Sequence, residues 1–229
     1  MVDLTGRLDF NRPSTMKPKI ALFIHDPKCS VQCGNGMMAA LGDQYEFRLF
    51  SKNEMEEGFF DKFDIVAFPG GIGDSDSFDT LLSKNQESVH RFLERGGRYL
   101  GICMGAYWAG SHYFNILDGV DAHQYIKRPV TDTRRPHAKN IPVTWMGTPD
   151  KMFFYDGCAL VGDDSKFETV ATYSNGDPMA IIQDRIGLIG CHPESEQFWY
   201  SSYRWMNGHY HNERHHRLLL EFVDKLMEK

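Results

Sequence analysis

Apolar residues in this chain gather in short unbroken runs, and through its first half those runs alternate with segments of helical spacing. Residues 19–24, 45–50, 64–68 and 99–102 read as strands. Runs this short, bounded by turn residues, suit strands. Residues 34–41 read as a helix. Residues 78–93 read as another, with Leu82, Val89, Phe92 and Leu93 on one face and Gly96-Gly97 as its stop. Strands and helices in alternation predict an α/β fold built on a doubly wound, mostly parallel sheet. In such sheets, sites gather beyond the carboxyl ends of the strands.

After residue 140 the texture changes. Short apolar runs at 141–145, 152–155, 167–173, 179–182 and 186–189 are separated by Gly, Asp and Pro turns, which predicts an antiparallel meander. A last helix over 213–227 carries Leu219, Phe222, Val223 and Leu226 at helical spacing, ready to pack on the sheet. Residues 1–17 are polar without sustained periodicity and read as a flexible extension, leaving 18–229 as one domain.

Composition narrows the function. A hydrophobic content of 41% in a chain of 229 residues supplies a buried core. The net charge of −6 argues against a nucleic-acid binder, which usually shows a basic face. A local basic stretch, Arg134-Arg135-Pro-His-Ala-Lys139, reads as a solvated loop or as a feature facing an anionic substrate. No run approaches a membrane span and no secretory leader follows Met1. Five cysteines in a chain this long, without dense spacing, suit a reducing compartment, so a cytoplasmic location is expected.

The chemistry centres on Cys103, where a short apolar strand ends in Gly-Ile-Cys-Met-Gly. Glycines two residues either side of a potential nucleophile allow the sharp strand-to-helix reversal of a nucleophile elbow, which leaves the thiol at a helix N-terminus. The plainer reading is a small buried cysteine in a glycine-bordered turn. A second apolar run, late in the chain, ends in His192-Pro-Glu194. A histidine beyond a strand end, with a carboxylate two residues on, supplies the base and orienter of acyl transfer. A third run ends in Phe68-Pro-Gly-Gly71, where backbone N–H groups of Gly70 or Gly71, with that of Met104, can form an oxyanion hole.

These three stretches, in this order, resemble the class I glutamine amidotransferase superfamily. Gly-Ile-Cys-Met-Gly-Ala-Tyr, Phe-Pro-Gly-Gly and the early Ile24-His-Asp-Pro-Lys-Cys-Ser30 are most similar to the branch named for the N-terminal domain of biotin–protein ligases. The resemblance implies a flavodoxin-like sheet with an antiparallel section before the catalytic histidine. It implies Cys103 as nucleophile, His192 as general base and Glu194 as orienter. One position departs: glutaminases of this superfamily carry Gln four residues after the nucleophile, where this chain has Tyr107.

The expected activity is a cysteine hydrolase of the amidotransferase kind, cleaving a carboxamide, glutamine first among candidates, through a thioester. Ammonia would pass to a partner synthase or ligase, since the chain has no phosphate-binding Gly-x-x-x-x-Gly-Lys loop. The alternatives are a stand-alone cysteine amidase or peptidase on another substrate, which Tyr107 favours, and a non-catalytic regulatory domain. Ser30, Asp74 and Tyr107 are the substrate-binding candidates. Asp74 and Asp76 can read an α-amino group or simply shape a turn. No cofactor and no metal is expected: Cys29 and Cys33 lack a Cys-x-x-Cys spacing and a second ligand pair. His209, His211, His215 and His216 read as a solvated helix start. The aromatic patch Phe198, Trp199, Tyr200, Tyr203 and Trp205 reads as a pocket wall, a partner surface or, in part, core. No nucleic-acid or membrane partner is expected, and homo-oligomerisation is left open.

Overall fold

In the computed structural model of the protein, residues 16–25, 31–71 and 75–229 are described. Of the extension expected over 1–17, only Met16 and Lys17 fall within them. The strands are β1 (Lys19–Phe23), β2 (Glu46–Phe50), β3 (Ile65–Phe68), β4 (Arg98–Ile102), β5 (Val120–Gln124), β6 (Lys139–Trp145), β7 (Thr148–Phe154), β8 (Cys158–Gly162), β9 (Glu168–Tyr173), β10 (Pro178–Gln183) and β11 (Ile186–Ile189). The α-helices are α1 (Val31–Leu41), α2 (Ser75–Leu81), α3 (Gln86–Glu94), α4 (Met104–Tyr107), α5 (Gln197–Ser201) and α6 (Arg214–Met227).

Among the described residues, nine strands form one sheet in the order β2-β1-β3-β4-β11-β10-β9-β6-β7. The half from β2 to β11 is parallel and the half from β11 to β7 antiparallel. The expected α/β fold is therefore present, and β1, β3, β4 and β11 are buried on both faces, whereas the edge strand β2 is largely exposed. In β1, Ile20 and Leu22 face the layer of α1 and α6, while Ala21 and Phe23 face an aromatic layer with Phe68, Phe78, Tyr99, Trp108 and Phe114. The period of two is thus intact, but both of its phases are apolar.

Two expectations need correction, and one strand pair has no counterpart among them. The helix expected over 78–93 is two helices separated by a 3-10 turn at Ser83–Asn85. Local side chains draw the backbone away: the Ser83 hydroxyl donates to the Asp79 carbonyl at 2.6 Å, and the Asn85 amide donates to the Met55 carbonyl at 3.0 Å. The segment 186–189, expected within an antiparallel meander, pairs antiparallel with β10 but parallel with β4, so it joins the two halves. Finally, β5 and β8 form a separate antiparallel pair outside the main sheet. The sequence Val-Asp-Ala-His-Gln of β5 is only partly buried, so neither strict alternation nor an apolar run announces it.

The order β3-β4-β11 decides where the chemistry lies. Three neighbouring parallel strands, with Phe68 opposite Gly101 and Ile102 opposite Ile189, end together. The residues that follow them, Gly70, Cys103 and His192, therefore meet at one sheet edge.

Candidate functional site

Cys103 sits between β4 and α4 with φ 50° and ψ −104°, a region that costs a non-glycine residue about 1–3 kcal/mol. The flanking glycines explain how the turn closes. A Cβ on Gly101 would stand 2.4 Å from the Gly105 carbonyl oxygen, and one on Gly105 would stand 1.8 Å from the Phe68 carbonyl oxygen. Only hydrogen fits at either place. The strained turn is pinned from below by the Cys103 N–H donating to Ile189 O at 2.8 Å and by the Tyr99 hydroxyl donating to Gly105 O at 2.6 Å. The helix that follows is a single turn, too short to carry a long macrodipole. Met104, as the first residue of α4, has an N–H with no intrahelical acceptor.

His192 leaves the end of β11, its backbone N–H donating to Phe153 O at 2.8 Å. Its Nδ1 lies 2.7 Å from Glu194 Oε1, and both residues are buried. Burial alone would depress the imidazole pKa. The Glu194 carboxylate, followed by the Cys103 and Cys33 thiols and a hydrogen bond to Cys103, outweighs it and holds His192 well above its ordinary value. With Nδ1 occupied by Glu194, Nε2 is left for the Cys103 thiol. The ring is walled by Phe153 and Trp199, with centroid separations of 5.9 and 5.5 Å.

Gly70 closes the third side. A Cβ there would meet His192 Cε1 at 2.8 Å, Cys33 Sγ at 2.9 Å and Cys103 Cβ at 3.5 Å. The glycine-rich loop thus lies close beside the thiol and the imidazole, with Gly71 half-buried next to it. Ser30, Asp74 and Cys29 lie outside the described residues. Tyr107 is within this neighbourhood, but its hydroxyl donates to Asp156 O at 2.9 Å, and burial pushes its pKa well up. Its one donor is spent on the chain itself.

Sequence reasoning missed two parts of the site. Cys33, in the first turn of α1, puts its Sγ 3.8 Å from His192 Nδ1, and burial, the largest cause, pushes its thiol pKa up to about 11. Nothing in the local sequence around Cys33 points to a histidine so distant along the chain. The loop after β7 is the other: the Cys103 thiol donates to Tyr155 O at 3.5 Å, and Gln124 donates to both carboxylate oxygens of Asp156 at 2.8 and 2.9 Å. The strand expected over 152–155 hid that turn.

The aromatic patch divides. Trp199 and Tyr200 are buried, whereas Phe198 and Trp205 are exposed. The histidine cluster is not the expected solvated helix start, because His211 and His215 are buried. His211 Nε2 donates to Ser195 O at 2.9 Å and His215 pairs with Asp150 at 3.2 Å. Ser195 directly follows Glu194, so this network backs the site from behind.

The sequence model of the family described as "Biotin-protein ligase, N terminal" matches residues 26–119. That span holds the Gly70 loop, the elbow and Tyr107, but not His192 or Glu194. No curated protein matches by sequence. Among solved structures, the chain is similar to PurLQS from Thermotoga maritima, at 15% identity and TM-score 0.64 over 92% of this chain and 100% of that one. It is also similar to a glutamine amidotransferase from Thermotoga maritima, at 12% identity and TM-score 0.65 over 93% and 100%. A third similar structure, from Thermoplasma acidophilum, is a putative GMP synthase component, at 15% identity and TM-score 0.60 over 93% and 97%. The fold is that of the glutamine amidotransferases, as the three motifs had implied.

Proposed function

We propose that this chain, with a glutamine amidotransferase fold and a segment of the biotin–protein ligase N-terminal family, is a cysteine amidohydrolase that releases ammonia from a carboxamide of the glutamine type. The observation that carries the reading is the convergence of a strained Cys103 and a buried His192–Glu194 pair at the ends of adjacent parallel strands. Cys103 gives its proton to His192 and attacks the carboxamide carbon. The oxyanion meets the backbone N–H of Met104 and those of the Gly70-Gly71 loop. His192 then protonates the departing nitrogen, ammonia leaves, and a thioester remains on Sγ. Water, deprotonated by the same imidazole, attacks the thioester and frees the acid and the thiol. Glu194 holds the ring orientation and stabilises its charged form.

In this reading ammonia passes to a partner synthase or ligase, as the names of the similar structures suggest by analogy. A working thiol suits a reducing compartment, the cytoplasm. Among the described residues, no helix is long and apolar enough to cross a membrane. A second reading rests on Tyr107. Its phenol replaces the amide that the superfamily turns toward glutamine, and its hydroxyl is already bonded to Asp156 O. That favours a stand-alone amidase acting on another small amide or peptide.

The test is ammonia release from L-glutamine and from a panel of other primary amides, by wild type and by Cys103→Ala. Release that vanishes in Cys103→Ala supports the reading. Release unchanged in that variant overturns it. The amide turned over fastest decides between the two substrates.

A further inference from the structure

We propose that Cys33, His192 and Glu194 form a latent binding site for a thiophilic divalent cation, with Zn²⁺ as the best fit, and that its occupation switches the amidohydrolase off. The inhibitory half rests on the function proposed above; the binding half does not.

The three donor atoms lie within 4.8 Å of one another and all three residues are buried. Cys33 Sγ is 3.8 Å from His192 Nδ1. In a tetrahedral zinc site, with Zn–S near 2.3 Å and Zn–N near 2.0 Å, sulfur and nitrogen stand roughly 3.5 Å apart, so this pair is already close to its ligating separation. The Nδ1–Oε1 pair at 2.7 Å is a hydrogen bond and must open slightly to admit a metal.

An independent observation points to the same place. Glu194 Oε2 is buried with no hydrogen-bond partner. A bare carboxylate oxygen away from water carries a large desolvation cost, which a cation at this position relieves. Thiolate, imidazole and carboxylate together suit zinc, whereas magnesium and calcium prefer sites built of oxygen alone. Coordination displaces the Cys33 thiol proton and the Nδ1 proton to solvent, so the cation enters as two protons leave. The consequence for catalysis follows from the choice of nitrogen. Metal on Nδ1 breaks the bond to Glu194 and places positive charge on the ring, so Nε2 can no longer take the proton of Cys103.

The experiment is competition of the metal-free full chain with a chromophoric zinc chelator, run beside ammonia release. One zinc per chain is expected, with affinity at least tenfold weaker in Cys33→Ser and in the isosteric Glu194→Gln, and within about threefold of wild type in Cys103→Ala. Magnesium and calcium should not compete. Zinc should stop ammonia release reversibly on addition of EDTA, and Cys33→Ser should need at least tenfold more zinc for the same inhibition. Binding that survives Cys33→Ser, or that is lost in Cys103→Ala, overturns the site, the second outcome placing the metal on the nucleophile. Zinc binding as described without ammonia release from any amide would sink the proposed activity and keep the cation site. Amide hydrolysis without Cys33-dependent zinc binding would do the reverse.

Discussion

In the proposed reaction Cys103, His192 and Glu194 have unequal tasks, and their substitutions should separate them. There the imidazole would both accept and return a proton, a contribution of about 10²–10⁴-fold in other enzymes. Glu194 would act through the ring it is bonded to, and an isosteric amide in its place keeps the shape while losing the charge. His192→Ala should therefore lower kcat by about 10²-fold or more, whereas Glu194→Gln leaves a measurable rate. Steady-state ammonia release checks this, and a His192→Ala rate equal to wild type would rule the histidine out as base. These three residues were legible in the sequence because each follows a short apolar run closely. Cys33 was not, because its proximity to His192 depends on how α1 packs rather than on any local pattern.

The elbow is the element on which the site depends, and its glycines are steric necessities. The Gly105 position admits no side chain, since a Cβ would penetrate the Phe68 carbonyl at 1.8 Å. Gly105→Ala should destabilise the fold by about 3 kcal/mol, at the upper end of ordinary overpacking, measured by denaturant unfolding. Gly147, at φ +80° with nothing within 4 Å of its would-be Cβ, provides the contrast. There alanine meets only backbone strain, and Gly147→Ala should cost about 1 kcal/mol. Equal costs would mean that close packing does not govern the elbow. Other elements were less legible for the same reason that this one was clear. Gly-x-Cys-x-Gly is a steric signature, whereas the break at Ser83–Asn85 comes from hydrogen bonds to residues as distant as Met55. The partly buried β5 has no signature of its own.

Across the whole molecule, the central parallel strands were written in apolar runs, but strand order was not. The placement of β11 beside β4 brings His192 to Cys103, and nothing in residues 186–189 alone specifies that neighbour. The network behind the site is a second long-range product. His211 donates from Nε2 to Ser195 O and accepts at Nδ1 from the His215 N–H at 3.2 Å, so the neutral ring satisfies both contacts. Burial, with the neighbouring His215, pushes its pKa down to about 3. The folded pKa lies below the unfolded value near 6.5, so the unfolded chain binds more protons between those limits. Stability should fall as pH drops through that window, by about 1–2 kcal/mol from pH 7 to pH 5 for this one residue. Denaturant midpoints at both pH values check it, with His211→Gln expected to flatten the dependence. An unchanged slope in that variant would remove His211 as its source.

All three scales meet at the thiol. The most direct test is the reaction of the native protein with a chloroketone analogue of glutamine at neutral pH, sampled over time and mapped by peptide mass spectrometry. Cys103 should carry the first adduct, ahead of Cys29, Cys33, Cys158 and Cys191, and saturating L-glutamine should slow its formation. A first adduct on any other cysteine, or a Cys103 rate indifferent to glutamine, would contradict the proposal that Cys103 attacks a glutamine-type carboxamide.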